Sequence, residues 1–125
     1  MRAFKTKLFD KWASKEGLTD AVLWRAVEEI EAGQVDANLG GNVYKKRVAL
    51  KGRGKRGGAR VLLIYRAGDV VFFMSGFTKS DRENIEKDNL TSLKESAKDL
   101  LKYSSRKLDK LVADGRFREV KNNGR

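Results

Sequence analysis

The chain has 125 residues, with 28 Lys and Arg against 17 Asp and Glu, no His, no Cys, no Pro, and 40% apolar side chains. That length suits one domain around one core, and the lack of Cys excludes a disulfide framework, a thiolate nucleophile and a thiolate metal site. No run approaches the roughly 20 apolar residues of a membrane span, and charges interrupt MRAFKTKLFDKWASK where a secretory signal is apolar, so a cytoplasmic location is expected.

Phe4 falls in a short candidate first strand. Leu8, Phe9, Trp12 and Ala13 recur at helical spacing, which predicts a helix over 6–16 that ends near Gly17. Thr19 is a candidate N-cap for a second helix reaching about Ala32, with Leu23, Val27 and Ile30 as its buried stripe and Gly33 as its stop. NLGGN (38–42) breaks the pattern. VYKKRVAL (43–50) suits a strand, with Lys45, Arg47 and Ala49 on one face and Tyr44, Lys46, Val48 and Leu50 on the other. VLLIY (61–65) and VVFFMSGF (70–77) are nearly continuous apolar runs, as expected of strands covered on both faces, with Ala67-Gly68-Asp69 as the turn between them. A helix is expected from near Thr91, with Leu93, Ala97, Leu100 and Leu101 inward, then a second capped by Ser104 or Ser105 and closed by Gly115. RFREV (116–120) alternates like a strand. The expectation is an α+β domain over 1–120, with a helical hairpin on a three- to four-stranded antiparallel sheet, C-terminal helices, and a loose tail over 121–125.

The positive charge is concentrated. Between Asp36 and Asp69 there is no acidic residue, and that interval holds nine basic ones: Lys45, Lys46, Arg47, Lys51, Arg53, Lys55, Arg56, Arg60 and Arg66. The rest of the chain is nearly balanced, with 19 basic against 17 acidic groups. A local basic surface of this kind attracts polyphosphate and steers its association.

Within the interval, Gly52-x-Gly54-x-x-Gly57 has the letters of a phosphate-binding loop. A dinucleotide fingerprint needs a helix after its glycines, because the helix N-terminus holds the pyrophosphate. Here a strand is predicted instead, and no Gly-Lys is followed by Ser or Thr as a Walker loop requires. The glycines are expected to form a mobile basic connection, so no nucleotide cofactor is expected. Asp81, Glu83, Glu86 and Asp88 sit close together, and Arg82 and Lys87 are interleaved with them as exposed ion pairs would be. No metal is expected.

Cleavage of RNA without histidine still needs a base for the 2′-hydroxyl, cations for the phosphate and a proton for the leaving 5′-oxygen. Lysines crowded by other cations lose their proton more readily, while arginines stay charged and clamp phosphate. The stretch from Lys45 to Arg60 supplies both types, and Lys79 follows the third strand. Charge alone does not separate cleavage from binding.

YKKRVALKGRGKRGGARVLLIYR followed by FFMSGFTKSDRENI, behind two helices, resembles the RelE/ParE superfamily of toxins, and most of all its HigB-like branch. The resemblance covers roughly residues 3–100. It implies the RelE-like fold and a ribosome-dependent endoribonuclease that cuts mRNA and stops translation. It also implies partners: the ribosome with its mRNA, and a cognate helix-turn-helix antitoxin. By position, Lys45 and Arg47 match the family's basic pair, Arg60 the arginine that contacts the scissile phosphate, and Lys79 and Arg82 the basic positions after the next strand. Lys45, Arg47, Arg60 and Lys79 are thus the expected catalytic set. Lys46, Lys51, Arg53, Lys55, Arg56 and Arg82 are expected to bind RNA. RelE's C-terminal tyrosine is replaced here by Glu86, which leaves Tyr44 and Tyr65 as the substitutes. The alternatives are a ParE-like inhibitor of gyrase or ribosome that does not cut RNA, and a nucleic-acid-binding regulator.

Overall fold

The computed structural model describes residues 1–50, 54–78 and 87–122. Its elements run β1 (Arg2–Thr6), α1 (Lys7–Glu16), α2 (Asp20–Glu31), β2 (Ala37–Gly40), β3 (Val43–Leu50), β4 (Gly54–Arg66), β5 (Val70–Thr78), α3 (Lys87–Leu100), α4 (Ser105–Ala113) and β6 (Phe117–Glu119).

Local chemistry sets the helix ends. The Thr6 hydroxyl accepts from the Phe9 N–H at 3.0 Å, Thr19 from Val22 at 3.3 Å and Ser104 from Lys107 at 3.1 Å. Each satisfies an amide that the first helical turn leaves without a partner. Gly17, in the left-handed region at φ 77°, closes α1.

The fold is α+β, as expected, but the sheet is larger than the hairpin pattern implies. The strands lie in the order β2-β3-β4-β5-β1-β6. β3, β4 and β5 form the antiparallel meander. β1 then runs parallel to β5 on one side and antiparallel to β6 on the other. The expected count of three or four strands therefore rises to six among the described residues. β2 was hidden by Gly40 and Gly41, whose φ angles of 87° and 60° read as a break in the sequence but here turn the chain directly into β3.

Helices cover both faces. On one, Phe9, Ala13, Leu23, Val27 and Ile30 of α1 and α2 pack on Val61, Leu63, Val71 and Phe73. On the other, Ala97, Leu100, Leu108 and Leu111 of α3 and α4 pack on Phe4, Val43, Ile64 and Phe72. This double cover explains the continuous apolar runs in β4 and β5.

Two expectations change. α3 begins at Lys87 rather than near Thr91. The glycine segment from Gly54 is paired strand, with Leu50 opposite Gly54 and Val48 opposite Ala59. Pairing with β3 outweighs the poor β-propensity of glycine here.

Candidate nucleic-acid interface

Residues paired across an antiparallel ladder share a face of the sheet. The register places Arg47 opposite Arg60 and Lys45 opposite Leu62. Arg60 in turn lies opposite Phe77, and Leu62 opposite Ser75. Lys45, Arg47, Arg60 and Phe77 therefore share the face that α3 and α4 cover farther along, at Val43, Ile64 and Phe72. At the cationic end the cover thins: Arg47 is exposed, and Lys45, Arg60, Ser75 and Phe77 are half-buried.

The two arginines differ in their partners. Arg47 Nε donates to Asp36 Oδ2 at 2.9 Å, which fixes its direction. Arg60 has a buried Nη1 with no hydrogen-bond partner among the described residues. Like charges facing each other across a ladder are destabilising, and a buried donor without an acceptor adds a desolvation cost. An anionic acceptor placed between the two guanidiniums would relieve both penalties.

Of the other expected site residues, Lys46 does not join this group. It points to the opposite face, is 3% exposed, and its Nζ lies 2.7 Å from Glu29 Oε1 on α2. A buried, ion-paired lysine offers no surface to RNA, so its assignment to RNA binding is corrected to a structural one. Lys55 and Arg56 lie on β4, where only the backbone is described. Lys51, Arg53, Lys79 and Arg82, and Glu86 with most of the carboxylate cluster, fall outside the described residues. Among those described, no group of three His, Cys, Asp or Glu is placed to hold a metal ion.

Tyr44 and Tyr65 are also on the far face. Their rings meet edge to face with centroids 5.6 Å apart and pack on the α1/α2 core. The Tyr65 hydroxyl donates to Glu31 Oε2 at 3.1 Å, and burial together with that carboxylate pushes its pKa up. Neither tyrosine reaches the arginines, so neither substitutes for the missing C-terminal one.

Two neighbours of the arginines escaped the sequence reading. Asp36, which marks the edge of the acid-free interval, orients Arg47. Phe77 reads as core, yet it lies opposite Arg60 and is only half-buried.

Fold and site together define a small basic α+β protein with two arginines facing each other at one end of a sheet. The family model described as RelE toxin of RelE / RelB toxin-antitoxin system matches residues 1–120, and the chain belongs to that family. It is accordingly a toxin of a toxin-antitoxin system, with a cognate antitoxin as its implied partner. RelE family toxins are generally endoribonucleases. No curated protein matches the chain. Among the described residues, no helix is long and apolar enough to cross a membrane.

Proposed function

We propose that this toxin is a HigB-like, ribosome-dependent endoribonuclease that cuts mRNA in the cytoplasm without a metal ion. The observation that carries this reading is the buried, acceptor-free Nη1 of Arg60 directly across from Arg47. A site that only coated RNA would keep its cations hydrated and mobile. A guanidinium fixed in a strand, with one nitrogen left without an acceptor among the described residues, is preorganised for charge that develops during a reaction.

In the proposed reaction, the 2′-oxygen attacks phosphorus, and the bond from phosphorus to the 5′-oxygen breaks. The 2′-hydroxyl proton passes to a base, and a second proton goes to the departing 5′-oxygen. The products are a 2′,3′-cyclic phosphate and a 5′-hydroxyl. Arg60 and Arg47 hold the phosphate as its charge grows. Lys45, on the same face, and Lys79, just beyond β5, are the proton carriers. Phe77, opposite Arg60 and half-buried, offers an aromatic ring on which a base next to the scissile phosphate can stack. Lys51, Arg53, Lys55, Arg56 and Arg82 hold the message and ribosomal RNA by their phosphates.

The test is primer extension on a translated message after induction of the chain, alongside Arg60→Ala. Cleavage with the wild type and its loss in the variant are expected. Intact messages during complete growth arrest would overturn the proposal.

A further inference from the structure

The sheet face opposite the arginines carries a second surface, which RNA cleavage does not use. On α1, Leu8 is 73% exposed, and Met1 is the only other large hydrophobic exposed among the described residues. Leu8 and Trp12 are one helical turn apart, so they form an apolar strip. Beside it run Lys7, Lys11 and Lys15, again at four-residue spacing, and all three are exposed. None of these lysines has an ion-pair partner among the described residues, although the same helix spends Asp10 on Lys5 and Arg118. The strip borders an open cavity of about 410 Å³ lined by Leu8, Lys11, Trp12, Lys15, Ser75 and Gly76.

The mixture selects the occupant. RNA would use the lysines but gains little from an aliphatic leucine, and the Trp12 ring already lies against Phe9 and above Gly76. A membrane surface would need more than one exposed apolar side chain. An amphipathic peptide segment with one or two apolar anchors and flanking Asp or Glu satisfies the leucine, the cavity and the three lysines at once. We infer that this α1 face docks an acidic amphipathic segment of the cognate antitoxin. The inference rests on membership in a toxin-antitoxin family and not on the proposed nuclease chemistry.

The experiment is calorimetric titration of the purified chain with the antitoxin encoded beside its gene, using Leu8→Glu and Lys11→Glu/Lys15→Glu as variants. Both alter exposed positions, and circular dichroism melting confirms that each remains folded. Each is expected to weaken binding by about tenfold or more, as loss of a central anchor or reversal of paired charge does at protein interfaces. Leu8→Ala is expected to lose less than Leu8→Glu. Unchanged affinity in both folded variants would overturn the inference. So would unchanged antitoxin binding with weakened ribosome association, which would make the face an RNA contact. Because the readout is binding, failure of mRNA cleavage in the wild type leaves this result interpretable, and the two proposals can fall separately.

Discussion

Replacing Arg60 by methionine separates what this side chain does for the fold from what it does for function. In the folded protein Arg60 faces Arg47 across the ladder, and its Nη1 is buried without an acceptor among the described residues. A buried donor left unmatched costs about 1–3 kcal/mol. The facing like charge adds up to about 1 kcal/mol. Methionine keeps an unbranched stem to pack on the sheet and removes both penalties. Arg60→Met is therefore expected to stabilise the fold by about 1–3 kcal/mol. With an unfolding entropy of about 2.1 cal/mol/K per residue, each kcal/mol gained by a chain of this length raises Tm by about 4 °C. Thermal and urea unfolding of the purified variant measure the gain, and induction in growing cells measures toxicity. The expected pair of results is a more stable protein with no activity, a trade that functional sites commonly show. A variant at or below wild-type stability would mean that Arg60 has a native partner. Full toxicity would place the phosphate elsewhere.

Other outcomes follow from the same packing. A Cβ at Gly76 would sit 2.3 Å from the Trp12 ring, so Gly76→Ala must push α1 off the sheet; a loss of about 1–3 kcal/mol is expected in urea unfolding. Glu29→Ala strands the buried Lys46 ammonium and is expected to cost about 3 kcal/mol, whereas the pair Glu29→Leu/Lys46→Met recovers most of it. Asp20 responds to acid. Burial alone would raise its carboxyl pKa, but the Lys5 ammonium at 2.8 Å and the Lys121 amide at 3.0 Å outweigh burial and hold it below the usual carboxylate range. A depressed pKa gives stability that is present above the unfolded value of about 3.9 and is lost as pH falls through the folded value. The stability difference between the wild type and Asp20→Asn is thus expected to be constant near neutrality and to shrink below about pH 4. A difference that persists at pH 2 would remove the ion pair from the explanation.

How far the sequence could be read depended on the range of the interaction involved. The caps at Thr19 and Ser104 and the stop at Gly17 are satisfied within three to five residues, so they were visible in the letters, whereas Thr6, read as the first residue of its helix, caps it instead. The face carrying Lys45 and Arg47 was equally visible, because it needs only the period of a single strand. β2, the parallel pairing of β1 with β5, and the strand through Gly54 and Gly57 were not, because each depends on a partner far away in the chain. The burial of Lys46 was half legible. Its face followed from alternation, but Glu29 on α2 supplies the counter-charge that lets a lysine stay there.

The least legible feature has the widest consequences. Between Leu63 opposite Phe73 and Leu62 opposite Ser75, one extra residue, Met74, enters β5 without a partner. A bulge of this kind reverses the facing of everything after it. Without it, Gly76 would lie opposite Arg60 and Phe77 would point toward α1. With it, the aromatic ring stands beside the arginines, and the glycine turns to the other face, where only a residue lacking a side chain admits Trp12. Seating Trp12 there sets the height of α1 over the sheet and leaves Leu8 outward next to its lysines. A single inserted residue thus shapes both surfaces: the one that faces phosphate and the one assigned to the antitoxin. Deleting Met74 is therefore expected to damage the two together, while Leu8→Glu and Arg60→Met each damage one alone.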